Sequence, residues 1–136
     1  MTTIQVLIAS AFFCWFQLTF ASVLASRGWN LAGMQVAFGN RENMPTPTGL
    51  VGRAQRAASN TVENLPIFLA VVLAASMANA PAADMDRGAT VFFAARVAHW
   101  GLYLAGVPLV RSIAWAVSLA GMAMIAAAAQ GLSPGL

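Results

Sequence analysis

Long apolar stretches separated by short polar or glycine–proline breaks organise this chain. A helix needs about 20 apolar residues to cross the hydrocarbon core of a bilayer, and segments 4–26, 47–79, 89–107 and 109–130 each come near or exceed that length. The pattern predicts an all-α membrane protein: a four-transmembrane-helix bundle forming a single domain over residues 1–136. The first segment contains Val23-Leu24-Ala25, which resembles a signal-peptide cleavage site. It lacks a basic start, however, and its apolar run is too long for a signal peptide, so it is expected to remain as a helix.

The connections follow from the same pattern. Residues 27–46 form the longest one and contain Arg27, Asn30, Asn40, Arg41, Glu42 and Asn43. Thr46 and Pro47 read as an N-cap followed by proline at the first helical position. A helix over 47–79 would be about 50 Å long at 1.5 Å per residue, so its first turns are expected to project beyond the membrane. Pro81 and the run from Asp84 to Gly88 read as the second connection, and Gly106-Val107-Pro108 as the third. Gly131 and Pro134 mark the end of the last helix.

Polar residues interrupt these segments at helical spacing. At about 100° per residue, Arg53, Arg56, Asn60 and Glu63 fall within an arc of roughly 80°. Arg96, His99 and Tyr103 span an arc of about 60° by the same count. Arg111, Trp115 and Ser118 share a face of the last segment, with Ser112 beside them. An ionised group deep in a bilayer costs several kcal/mol and is usually functional. Snorkelling to headgroups accounts for Arg53 and Arg111 near helix ends. It does not account for Glu63, about 15 Å further along its helix, or for Arg96 well inside its span. A structural ion pair between Glu63 and an arginine is one reading, because depth puts Glu63 within reach of Arg96. A binding pocket is the stronger one. Guanidiniums grip carboxylates and a carboxylate suits an ammonium, so a small zwitterion with more than one carboxylate fits the stripes.

Composition supports the membrane assignment. The chain is 60% hydrophobic and 8% charged, whereas soluble domains carry about 25% charged residues. Its net charge of +3 comes from seven arginines without a dense basic run, so nucleic-acid binding is not expected. Arg27, Arg41, Arg53, Arg56 and Arg111 gather at one membrane face and Arg87 at the other. The positive-inside rule then puts the first and third connections in the cytoplasm and both termini outside. Cys14 is the only cysteine, which excludes an intrachain disulfide and a cysteine-based metal site, and it reads as a packing residue. With His99 the only histidine and four acids in all, no metal site is expected.

Two stretches carry a family resemblance. Arg53-x-x-Arg56-Ala57-x-x-Asn60-x-x-Glu63, followed by Pro66 and Phe68, resembles the second-helix motif of the MAPEG family, the membrane-associated proteins in eicosanoid and glutathione metabolism. Residues 95–115, with Arg96-Val97-Ala98-His99, Tyr103 and Arg111-Ser112, resemble its third- and fourth-helix segment. The small bacterial branch is the nearest likeness, which implies a bacterial inner-membrane location. The resemblance also implies a homotrimer that binds glutathione, as co-substrate, between subunits near the cytosolic face. Carried over by position, Arg56, Asn60, Glu63, His99, Tyr103, Arg111 and Ser112 would contact it, and Arg53 and Arg96 join them as members of the same polar stripes.

A thiol-dependent transferase or peroxidase acting on hydrophobic electrophiles is the leading expectation. A free thiol with pKa about 8.5 is mostly protonated at neutral pH, so such an enzyme must favour the thiolate. Arg111 and Ser112 at the start of the last helix are the expected activators, with Tyr103 as a further donor. A hydrophobic acceptor from the lipid would slide between Trp115 and the neighbouring subunit's first helix. Characterised enzymes of the family often have His and Arg where this chain has Ala58 and Ser59, and some have Tyr where it has Trp115. A non-catalytic lipid-binding or scaffold protein is the alternative. A proton-driven four-helix exporter fits less well, because arginines oppose protonation of a neighbouring carboxylate.

Overall fold

The computed structural model describes residues 1–41, 44 and 46–132. The described residues fold into five helices: α1 (Thr3–Ser26), α2 (Leu31–Phe38), α3 (Gly49–Met77), α4 (Ala82–Ala105) and α5 (Pro108–Ala129). Glu42, Asn43 and Pro134 lie outside the described residues.

The first connection contains a helix that the hydrophobic pattern does not announce. Asn30 caps α2 by accepting from the Gly33 N–H at 2.7 Å, which satisfies one of the free donors of a helix start. Gly33 is required there, because a Cβ would collide with the Arg27 carbonyl. The eight residues of α2 are almost all apolar, so they have no helical periodicity to read.

Several boundaries differ from expectation. α3 starts at Gly49 with Thr48 at its N-cap, not at Thr46 and Pro47. Gly49 has φ +54°, a left-handed conformation that no regular helix passes through. α3 also stops at Met77, short of residue 79. α4 begins at Ala82, so the run from Asp84 to Gly88 forms its first turns and is not a connection. Acids are favoured at a helix N-terminus, and Asp84 meets Arg87 at 3.5 Å one turn on. Asp86 acts across helices: its Oδ1 accepts from both the Thr3 N–H (2.6 Å) and the Thr3 hydroxyl (2.7 Å). The start of α1 is thereby tied to the start of α4. α4 ends at Gly106 with φ +77°, and α5 runs from Pro108 to Ala129 against an expected 109–130.

α4 and α5 form a tight antiparallel pair. A Cβ on Gly88 would lie 2.7 Å from the Gly121 carbonyl, and one on Gly121 would lie 2.7 Å from the Gly88 carbonyl. Small residues of this kind let membrane helices approach backbone to backbone. The larger core cluster joins Val6, Phe68, Val72, Met85, Phe92, Met122 and Ile125. Phe68 and Phe92 stack with ring centroids 3.9 Å apart inside it. A second cluster of Ala21, Ala54 and Ala58 closes α1 on α3. Outside these cores, Ile4, Phe12, Trp15 and Leu109 stand exposed, as residues facing lipid or another subunit do.

α1, α3 and α5 are long and apolar enough to cross a membrane. α4 matches α1 in length, at 24 residues, but carries Asp84, Asp86, Arg87 and Arg96. The described residues thus hold three apolar candidate spans, one fewer than the expected four, within an all-helical membrane protein.

Candidate functional site

The polar stripes divide into a buried network and an open groove. The network is built around Arg96 in the middle of α4, which is 3% exposed. Its Nη1 donates to Asn60 Oδ1 at 2.9 Å and its Nη2 to Thr61 Oγ1 at 3.0 Å. Thr61 in turn donates to Gln17 Oε1 of α1 at 2.9 Å. α1, α3 and α4 are joined through one guanidinium held by neutral acceptors.

A pairing of Glu63 with Arg96, the weaker of the two readings of that acid, is not made among the described residues. Arg96 sits between Asn60 and Thr61, and Glu63 is roughly 100° further round α3. Glu63 is exposed on the outer face of the protomer. Thr61 and Gln17 are the residues that pattern reading missed. Gln17 is the only strongly polar residue in the middle of α1, which was the available signal.

Asn60, His99, Tyr103, Arg111, Ser112 and Trp115, from α3, α4 and α5, line an open groove of about 210 Å³. The Arg111 guanidinium lies 4.3 Å from the centroid of the Tyr103 ring, a cation–π arrangement. His99 meets the same ring edge-on at 5.5 Å. Tyr103 is thus held between the two. His99 is buried, and its Nδ1 has no hydrogen-bond partner. The Ser112 hydroxyl donates to the Pro108 carbonyl at 3.0 Å.

Asn60 belongs to both regions, and its amide orientation is decided by chemistry. A guanidinium has donors only, so Asn60 must give Arg96 its oxygen. The amide nitrogen is left as the donor for the groove. With Arg111, Ser112 and Tyr103 around it and no carboxylate in the wall, the groove suits an anionic or acceptor-rich ligand.

The remaining expected residues lie apart from this wall. Arg53 has a partner within the protomer: its Nε donates to the Leu104 carbonyl at 2.9 Å and closes the last turn of α4. Arg56 and Glu63 are exposed on either side of Asn60 along α3, outside the groove lining. Ser118 shares a helical face with Arg111 and Trp115 by spacing. It is nonetheless fully buried and donates to the Trp115 carbonyl at 2.7 Å.

With these positions fixed, residues 5–130 match the MAPEG family. The chain belongs to the MAPEG family. Membership makes it a membrane protein of a family concerned with glutathione and eicosanoid metabolism. No curated protein and no solved structure matches the chain. As a MAPEG protein it carries the two motif stretches in different roles. Asn60, His99, Tyr103, Arg111 and Ser112 share one groove, while Arg53 and Arg96 bind this chain's own carbonyl, amide and hydroxyl groups. The departure at Ala58 has a physical basis, since Ala58 is 2% exposed and packs with Ala21 and Ala54. A histidine would not fit that contact.

Proposed function

We propose that the protein is a membrane-embedded, thiol-dependent transferase or peroxidase that uses glutathione against hydrophobic electrophiles. The observation that carries this reading is the donor-rich groove, to which three helices contribute Asn60, Tyr103, Arg111 and Ser112 with no acid among its lining residues. Glutathione brings two carboxylates, a thiol and one ammonium. Arg111 and Asn60 serve its anionic groups, and the exposed Arg56 and Glu63 extend the contact along α3 to a second carboxylate and the ammonium. Leaving Glu63 unpaired on the outer face of an apolar bundle is costly. A homotrimer of four-span protomers, in which a neighbouring subunit covers that face, removes the cost. The groove then opens toward the cytoplasm, with both termini outside a bacterial inner membrane.

The chemistry follows from the position of Arg111 in the first turns of α5. A fixed positive charge, aided by the partial positive end of the helix, favours a thiolate over a thiol. The Tyr103 hydroxyl is a further donor to the sulfur, and Ser112 becomes one on turning away from Pro108. The thiolate attacks the electrophilic carbon of an acceptor that enters from the lipid beside Trp115. A C–S bond forms, and the leaving group departs with the displaced electron pair.

The alternative is a lipid-binding or scaffold protein of the same fold, favoured by the Ser112 hydroxyl resting on Pro108. Glutathione titration into purified protein, followed by turnover with a hydrophobic electrophile, separates the two. Binding with thiol-dependent turnover is expected. Binding without turnover would replace the enzyme by the scaffold, and absence of glutathione binding would remove both the thiol and the enzyme.

A further inference from the structure

A small, partly enclosed cavity lies where α1, α3 and α4 meet. Ser10, Thr61 and Arg96 form its polar wall, and Phe13, Phe92 and Phe93 form much of the rest. Its volume of about 10 Å³ is at the lower limit of the space that one buried water needs, roughly 10–15 Å³. Ser10, Thr61 and Arg96 are 4%, 6% and 3% exposed. Two of their atoms, Ser10 Oγ and Arg96 Nε, are buried without a hydrogen-bond partner.

The bonding requirements of these atoms define the occupant. Arg96 Nε–H can only donate, so it needs an acceptor. Ser10 Oγ can do either. Thr61 Oγ1 has one hydrogen, which points at Gln17 Oε1 and the Ala57 carbonyl, and it accepts from Arg96, which leaves one lone pair. Buried polar groups are nearly always satisfied by protein or ordered water. A halide would accept from Nε–H, but it is larger than water and cannot donate to Thr61.

We infer that Ser10, Thr61 and Arg96 bind a single internal water molecule. The water accepts from Arg96 Nε–H and donates to Ser10 Oγ and Thr61 Oγ1, making the roughly three hydrogen bonds typical of buried water. It completes the coordination of the guanidinium whose other end holds Asn60 Oδ1. Through it α1, which contributes nothing to the groove wall, helps to fix the donor that Asn60 offers there. The inference does not depend on glutathione being the ligand.

Crystals of the intact protein, grown once with chloride and once with bromide, test the site directly. A single density peak at hydrogen-bond distance from Arg96 Nε and Ser10 Oγ, with no bromide anomalous signal, is expected. No peak, or an anomalous signal at that point, would overturn the inference. Thermal unfolding of the full chain in lipid nanodiscs gives an independent reading. Ser10→Val fills the cavity and displaces the water, so its melting temperature should fall below that of Ser10→Ala, which leaves the water room. If Ser10→Val matched or exceeded the wild type, the cavity would be dry and the inference wrong.

Discussion

Arg96 and Arg111 carry the same charge on neighbouring helices, yet their surroundings assign them opposite tasks. Arg96 is 3% exposed and directs two of its nitrogens at an amide oxygen and a hydroxyl of α3. Arg111 rests its guanidinium face on the Tyr103 ring and makes no hydrogen bond among the described residues. A ring face leaves the N–H groups at the guanidinium edge available. One arginine thus holds the bundle together, and the other presents donors to whatever enters the groove. Charge inside a membrane protein identifies a special residue; the partner atoms decide whether its donors are used within the protomer or left at a groove.

The largest effect expected from this contrast is at Arg96. Arg96→Met leaves Asn60 Oδ1 and Thr61 Oγ1 without their donor, and hydrogen bonds to charged groups are worth about 1.5–3 kcal/mol each. Unfolding in detergent should show a loss on the order of 3 kcal/mol or more by that reckoning. A neutral Arg96→Met would mean that the network does not support the fold. Arg111→Ala should behave in the opposite way. Its melting temperature should stay close to the wild type, while glutathione affinity falls roughly ten- to a hundredfold, the equivalent of one charge-assisted contact. A variant that unfolds early but binds normally would reverse the two assignments.

The next effect is at the exposed pair on α3. Glu63→Gln should weaken glutathione binding or loosen the proposed trimer, with little change within the protomer, because Glu63 has no partner there among the described residues. Native mass spectrometry and calorimetry read the two outcomes separately, and an unchanged result in both would leave Glu63 without a role. Arg53→Gln is the smallest change. It removes a single bond from a half-buried guanidinium to the Leu104 carbonyl, so a cost near the low end of the range for charged groups, about 1.5 kcal/mol, in stability and none in binding is expected. A binding defect as large as that of Arg111→Ala would place Arg53 in the ligand site after all.

Much of this division was legible in the chain. The apolar segments gave the long helices, and helical spacing put Asn60, His99, Tyr103, Arg111 and Ser112 on faces that meet in one groove. Spacing alone could not tell which neighbour a polar face meets. Arg96 faces Thr61 as well as Asn60, so its long side chain is used up before it reaches Glu63. The acids at the start of α4 were misread as a connection because hydropathy treats charge as a break. Asp86 instead caps α1 across the bundle. α2 was hidden because a short helix that is apolar on most sides has no period to detect.

If Arg111 activates a thiol held in the groove, as proposed, the ionisation of that thiol is visible as thiolate absorbance. Glutathione titrated into the wild-type protein at neutral pH should produce a thiolate signal at saturation. Arg111→Ala, saturated at higher glutathione concentration, should produce a much smaller one. Equal signals from the two proteins when both are saturated would contradict the account, because the charge over Tyr103 would then have no part in forming the nucleophile.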